Sequence, residues 1–372
     1  MRNDSAPASA PVAETPVDVS VLIPVLNEER HIRDTVAAMA AQRFDGSIEL
    51  LFADGGSGDR TREILEEIAA SDPRIRILEN PRRRTASGLN VGLREARGEY
   101  VARMDAHTYY APEYLAAGVG RLRCGDTQWV SGPAVPRPVG RVSRAVALAL
   151  ASPLGRGGSR KWSADAATAD ERELDTGVFG GVWRRSTLLA AGGWDERWPI
   201  NQDSELAARF LEGGARLVCV AEMAGHYVPR DSIGSLARQY FRYGFYRART
   251  FRRHPRSMRV SHLLAPTLAL ALVCAVSGPR RLRALARAGL GVYLAAVAAS
   301  AADARDAGPS ERVALLAVLP AMHLGWGFGT LAGVARFGPP IDAIRYALGR
   351  EVESASVDPE PVYAPSLHDA AG

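Results

Sequence analysis

Ten residues, Val19-Ser-Val-Leu-Ile-Pro-Val-Leu-Asn-Glu28, restrict the fold more than any other stretch. Val19, Val21, Leu22 and Ile23 give no polar face, the pattern of a strand buried on both sides. Pro24 is expected to stop ladder pairing, and Asn27 and Glu28 put polar groups at the strand's C-terminal edge. Open α/β sheets bind ligands at that edge, so a nucleotide is expected there.

The residues that follow alternate between the two periodicities. Ile32, Val36 and Met39 are spaced as on a helix, and Ile48-Glu-Leu-Leu-Phe-Ala53 is a second buried strand ending at Asp54-Gly-Gly-Ser-Gly-Asp59. Thr61 to Ala70 reads as a helix, Ile75 to Leu78 as a strand, Thr85 to Arg97 as a helix, and Tyr100 to Met104 as a strand running into Asp105. Strands separated by helices of this length predict an α/β fold, a mostly parallel sheet with helices on both faces. The pattern loosens over 106–230. Trp129-Val130 and Leu217 to Val220 read as strands, Pro133 to Gly140 as irregular chain, and 155–175 as a mobile loop. Asn201 to Glu212 reads as a helix with Asn201 as its N-cap. Ile233 to Arg253 reads as an Arg- and Tyr-rich amphipathic helix.

Composition then changes. His262–Pro279, Ala288–Ala302 and Val313–Ala335 contain no Asp, Glu, Lys or Arg. The last is long enough to span a bilayer, which takes ~20 apolar residues. The first is marginal, and the second is short enough to lie at the interface or form a hairpin with the first. The competing reading is a set of buried helices in a soluble domain. The net charge of +5 does not argue for nucleic acid, because Lys161 is the only lysine and the arginines are dispersed rather than gathered in a stripe. Arginines flanking apolar segments fit an anionic membrane surface better. Cys124, Cys219 and Cys274 lie far apart without metal spacing, as expected of a reducing compartment. The expected organisation is a disordered tail (1–17) without a signal peptide, a catalytic domain (18–255), membrane-associated helices (256–340) and a polar tail (341–372).

Several polar groups fall where chemistry would need them. Asp54 closes a strand before a Gly-rich turn, placed to accept a hydrogen bond from a base or only to start a turn. Asp105-Ala-His107 ends the strand expected beside the first, so both side chains can face a divalent cation on a diphosphate. Asp203 opens a helix, where it serves either the helix dipole or an acceptor hydroxyl as general base, with Glu205 as a rival. Gln239-Tyr-Phe-Arg242-Tyr243 sets an amide and a guanidinium on one helix face, for phosphates or as a solvated basic face.

In this order the motifs resemble glycosyltransferase family 2, with its GT-A fold, over roughly residues 18–250. Within the family the chain looks most like the membrane-associated ExoA-type enzymes of succinoglycan and other exopolysaccharide synthesis. The resemblance implies inverting transfer from a nucleotide sugar, UDP-linked, with Mg²⁺ or Mn²⁺. By the same resemblance Pro24, Asn27 and Glu28 line the nucleotide site, Asp54 meets the base, and Arg84 and Asn90 flank the nucleoside. Asp105 and His107 take the metal–diphosphate position, and Asp203 becomes the catalytic base. Gln239, Arg242 and Tyr243 close over the diphosphate or the acceptor channel, while Gly180, Gly181 and Trp194 shape the donor–acceptor pocket. His226 is a further metal or phosphate candidate, or a structural histidine. Three departures stand out: His107 in place of a second Asp, Gln202 in place of Glu, and Tyr243 in place of Trp. Three apolar segments, fewer than processive synthases carry, point to single-sugar addition to a lipid-linked acceptor at the inner membrane, with the catalytic domain cytoplasmic.

Other classes fit less well. A nucleotidyltransferase would need a Gly-rich loop with a basic residue after the first strand, where Asn27-Glu-Glu29 stands. A non-catalytic scaffold of an export complex would tolerate loss of Asp105 or Asp203, yet both are present. A dinucleotide-binding dehydrogenase would carry Gly-x-Gly-x-x-Gly after the first strand, which is absent.

Overall fold

The computed structural model describes residues 16–157, 171–177, 180–305 and 307–350. The expected N-terminal tail up to residue 15, the centre of the expected mobile loop (158–170) and the end of the polar tail (351–372) lie outside the described residues.

The first seven elements alternate as the apolar runs predict: β1 (Val19–Val25), α1 (Ile32–Ala40), β2 (Ile48–Asp54), α2 (Thr61–Ala69), β3 (Ile75–Glu79), α3 (Thr85–Glu95) and β4 (Tyr100–Arg103). β1 lies between β2 and β4, parallel to both, and β3 is parallel to β2. Alternate residues of β1 feed two cores. Val19, Val21 and Ile23 pack on one face, while Leu22 joins Leu51, Leu89 and Val101 on the other. Pro24 only half-stops the ladder. Pairing with β4 ends at Leu22, but on the β2 side the register continues through Pro24 and Ala53 to Val25 and Asp54.

The middle of the chain holds more strand than its pattern suggests. It contains β5 (Thr108–Tyr110), α4 (Tyr114–Arg123), β6 (Trp129–Ser131), β7 (Ala134–Pro136), α5 (Arg141–Ala151), α6 (Pro153–Arg156), β8 (Glu171–Glu173), β9 (Gly181–Arg184), α7 (Arg185–Ala190), α8 (Gln202–Glu212), β10 (Leu217–Val220) and β11 (Gly225–Tyr227). Among the described residues eight strands form one sheet, ordered β3-β2-β1-β4-β9-β6-β10-β8, and β5, β11 and β7 form a second. β9 runs antiparallel between β4 and β6, and β8 is an antiparallel edge. β7 falls in the stretch expected to be irregular and β8 in the expected loop. Strands of three residues carry too little periodicity to be read from sequence.

α9 (Ile233–Arg253) has the predicted bounds. It is followed by α10 (Leu264–Ser277), α11 (Arg280–Asp303), α12 (Pro309–Phe337) and α13 (Ile341–Ala347), the last within the stretch expected as polar tail. α11 exceeds its uncharged run because its Arg-rich first turns are also helical. With the short turn before α10 included, three helices among the described residues are long and apolar enough to cross a membrane: Val260–Ser277, Arg280–Asp303 and Pro309–Phe337. α10 and α11 leave Leu270, Val276, Leu285 and Val292 exposed.

α12 is more enclosed. On one side Val318, Leu319 and Met322 pack with Val146 and Leu150 of α5. On another, glycines one turn apart bring it backbone-to-backbone with α9. A Cβ added at Gly325, Gly329 or Gly333 would lie 2.8, 2.0 or 2.4 Å from the carbonyl oxygens of Ala237, Phe241 and Phe245. The pairs ascend together in number, so the two helices run parallel along a seam of small residues.

Candidate active site

The site begins where three parallel strands end side by side. The loop after β1 and the loop after β2 are tied to each other. Asn27 Oδ1 accepts from Gly58 N at 2.8 Å, Glu28 N donates to Thr61 Oγ1 at 2.7 Å, and Arg60 N donates to Glu29 Oε2 at 3.1 Å. Asn27 adopts φ +58°, a left-handed conformation that Asn tolerates better than most residues. Asp54 is fully buried, with its carboxylate accepting from the Ser57 hydroxyl at 2.6 Å and the Ser57 amide at 3.1 Å. It therefore shapes the Gly-rich turn and presents no free surface to a base.

After β4 the chain turns through Asp105, and the Tyr110 hydroxyl accepts from Asp105 N at 2.7 Å. The last residue of β4 supplies what sequence reading missed. Arg103 donates to both Asp105 oxygens, Nε to Oδ1 at 2.9 Å and Nη2 to Oδ2 at 3.1 Å. Its Nη1 bonds the Asp203 carboxylate. The Arg103 side chain is 4% exposed against 14% for Asp105 and 18% for Asp203, so a buried cation holds two carboxylates that reach the cleft. Burial opposes charge on Arg103, but Asp105 and Asp203 outweigh it and raise its pKa. Burial also works to raise the Asp105 pKa, and Arg103 and His107 overcome this, leaving it lowered. The available signal was a lone arginine in an otherwise apolar strand.

His107 Nδ1 lies 3.3 Å from Glu28 Oε1, and that contact holds its pKa above the usual histidine value. The first and fourth strands thus meet across the site. Among the described residues no group of three or more His, Cys, Asp or Glu side chains makes a complete metal site. Asp105 and His107 could hold a divalent cation that takes one or two protein ligands only where Asp105 shares its carboxylate with Arg103 and His107 is neutral.

Asp203 stands on the first turn of α8. Asn201 precedes the helix, but not as the expected side-chain cap. It sits at φ +63° and sends its amide to the Tyr243 carbonyl at 2.8 Å, tying the start of α8 to α9. Glu205 is removed as a rival base. It is fully buried and paired with Arg209 at 2.8 Å, with His254 Nε2 at 3.4 Å. Gln239 donates to the Tyr243 hydroxyl at 2.9 Å, and burial, reinforced by Asp203, raises the Tyr243 pKa.

Glu28, Asp105, His107, Asp203, Gln239, Arg242 and Tyr243 line one cleft of ≈ 1860 Å³. The other named residues do not line it. Asn90 is buried and clamps the chain, with its amide on the Trp194 carbonyl (2.8 Å) and Glu196 (3.0 Å) and its oxygen accepting from Trp194 N (2.9 Å). Trp194 is fully buried edge-on to Trp183 in the core rather than at a pocket wall. Gly181 opens β9 beside Arg103 of β4 in the sheet, with Gly180 just before it; a Cβ on Gly181 would meet Trp129 Nε1 at 2.2 Å. Pro24 packs toward α3 near Gly88, and Arg84 precedes α3 with its guanidinium 3.5 Å from the Glu196 carbonyl. His226 lies in the small sheet opposite Tyr109 and does not line the cleft, and burial lowers its pKa.

A mostly parallel sheet whose ligand edge carries paired carboxylates, with a helical wall across the cleft, is the arrangement of the GT-A fold. The chain belongs to glycosyl transferase family 2, whose model matches residues 20–179. Succinoglycan biosynthesis protein ExoA of Rhizobium meliloti (strain 1021) is 30% identical over 319 residues, 83% of this chain and 92% of that protein. A dolichyl-phosphate-linked sugar transferase of Methanococcus voltae, a 2,3-diacetamido-2,3-dideoxyglucuronosyltransferase, is 23% identical over 61% of this chain and 71% of its own length. Among solved structures, mannosyltransferase PcManGT from Pyrobaculum calidifontis, in complex with GDP-Man and Mn²⁺, shares the fold. Its TM-score is 0.51 at 21% identity, over 85% of this chain and 89% of that one.

Proposed function

We propose that the chain is a membrane-associated, inverting glycosyltransferase that moves one sugar from a nucleotide sugar, UDP-linked, to a hydroxyl of a lipid-linked acceptor in exopolysaccharide or cell-envelope glycan synthesis. The observation that carries this is the Asp105–Arg103–Asp203 bridge at the cleft. It fixes a diphosphate-side carboxylate and a base-side carboxylate in one frame.

Asp203 takes the proton of the acceptor hydroxyl as that oxygen attacks the anomeric carbon from the face opposite the nucleotide. Arg103 holds Asp203 in position. Arg242, exposed on the opposing helix, meets the phosphates, and Tyr243 with Gln239 bounds the acceptor side. A divalent cation, Mg²⁺ or Mn²⁺, held by Asp105 and His107 would neutralise charge on the departing nucleoside diphosphate. The exposed apolar faces of α10 and α11 support seating in the inner membrane, with residues 18–255 as the cytoplasmic catalytic unit and 256–340 as its anchor. The likeness to ExoA supports the exopolysaccharide assignment.

Membranes containing the protein are offered labelled nucleotide sugars with and without divalent cation. The expected result is cation-dependent transfer into a lipid-extractable product. Asp203→Asn should lower it about 10²–10⁴-fold, the range for loss of general base catalysis. Wild-type turnover in that variant overturns the base assignment, and binding of no nucleotide sugar overturns the enzyme reading.

A further inference from the structure

The cleft continues past Asp203 along α9 to the foot of α10, where Arg247, Arg259, Ser261 and His262 line it. From there it runs between Leu268 and Ala271 of α10, Tyr293 of α11, and Met322 and Trp326 of α12. A cationic stretch thus gives way to an apolar lane among the helices that are long enough to enter a bilayer.

Arg247 is half-buried, with its guanidinium 5.0 Å from the Phe251 ring and 3.4 Å from the Ser257 carbonyl. Among the described residues no carboxylate lies within ion-pairing distance of it, and its electrostatic neighbour Asp175 is bonded to Arg259. Burial lowers the Arg247 pKa to about 10, and Arg259 pushes the same way. The group remains a cation at neutral pH, in surroundings that make an unpaired cation costly. An anionic ligand would relieve that cost, and the apolar lane beyond it suits a hydrocarbon chain. Arg247 lies one turn beyond Tyr243, ~6 Å along the helix axis. The Tyr243 carbonyl holds Asn201, two residues before Asp203. The cation therefore follows, along the same cleft-lining helix, the turn that is tied to the start of α8 and so to Asp203.

We infer that Arg247, with Arg259, clamps the phosphate or diphosphate of a lipid-linked acceptor, whose chain lies in the lane between α10 and α12 and whose glycan is presented to Asp203. This rests on the glycosyl-transfer reading and names the acceptor's recognition site within it.

The test uses the full chain in neutral detergent, with dodecyl diphosphate as the probe and inorganic diphosphate, anionic phospholipid vesicles and a nucleotide sugar as comparison ligands. Wild type should bind dodecyl diphosphate well and inorganic diphosphate weakly. Arg247→Gln should weaken dodecyl diphosphate about tenfold, the scale of one charge-assisted pair, and leave nucleotide-sugar affinity unchanged. Leu268→Trp, which narrows the lane, should weaken the lipid probe and spare inorganic diphosphate. If Arg247→Gln does not fold, Arg259→Gln is read by the same criteria. Unchanged lipid affinity in the arginine variant overturns the inference, as does equal wild-type affinity for inorganic diphosphate. Parallel loss of nucleotide-sugar binding, or equal competition by anionic vesicles, also overturns it. Failure of wild type to bind any nucleotide sugar would sink the glycosyltransferase reading instead, with the lipid-probe result standing apart.

Discussion

The two walls of the cleft are built on opposite principles. On the sheet side the polar groups are already spent, Glu28 against His107 and Asp105 and Asp203 on Arg103, while Asn27 on Gly58 and Asp54 on Ser57 brace the adjoining loops. On the α9 side arginines face the cleft, and Arg242 and Arg247 have no carboxylate within ion-pairing distance among the described residues. A wall whose polar groups bond one another is held in shape before a ligand arrives, and low reorganisation is what positions a reacting group. A wall of unpaired cations on a helix fixed by packing is selective for the sign of what arrives. Geometry is thus supplied by one side and charge complementarity by the other.

The largest test of this contrast is Arg103→Met. It leaves Asp105 and Asp203 facing each other without the cation between them, a loss of about 3–5 kcal/mol for a broken buried pair. Transfer should fall by at least as much as with Asp203→Asn, and the melting temperature in detergent should fall too. An unchanged melting temperature would show that the bridge is not part of the framework. Next is Gly329→Leu on α12, whose first side-chain carbon would meet the Phe241 carbonyl at 2.0 Å. Overpacking of about 1–3 kcal/mol is expected, with acceptor turnover lost and nucleotide-sugar affinity retained. Equal loss of both would mean the walls are not separable.

Asn27→Ala is smaller and acts on the other wall. It removes the Gly58 bond and puts a Cβ-bearing residue without a compensating side chain at φ +58°, at a cost of about 1 kcal/mol. KM for the nucleotide sugar should rise a fewfold with acceptor KM unmoved, as measured by steady-state kinetics. The smallest effect is a pH dependence far from the chemistry. Burial opposes charge on His254, but Glu205 and Glu212 raise its pKa, with Nδ1 2.6 Å from Glu212 Oε2. A raised folded pKa gives stability that is complete below the unfolded value of about 6.5 and is lost as pH rises through the folded value. Melting temperature should therefore decline across that rise, and His254→Gln should flatten this part of the profile.

What the sequence disclosed follows the same division. The first four strands were readable because each is a run of apolar residues ending in a polar turn, and α9 because its amphipathic pattern persists for six turns. β5, β9 and β11 were not, because Thr108-Tyr-Tyr, Gly181-Val-Trp-Arg and Gly225-His-Tyr give no sustained apolar run and their partners are distant in the chain. Asp105 and Asp203 could be placed from their positions at element ends, whereas the cation joining them lies inside a strand, where an arginine reads as an exception to the pattern. Asn90 shows the reverse error. The resemblance set it beside the nucleoside, but its amide is consumed by the Trp194 backbone and Glu196, a pairing 104 residues apart at the first of these.

The seam between α9 and α12 has a mechanical consequence. With no side chains between the two backbones at Gly325, Gly329 and Gly333, the helices have nothing compressible between them and move as one strut. Asn201 ties the start of α8 to that strut through the Tyr243 carbonyl. A displacement of α12 would therefore be passed to the first turn of α8 and to Asp203, against the hold that Arg103 keeps on the same carboxylate from the sheet.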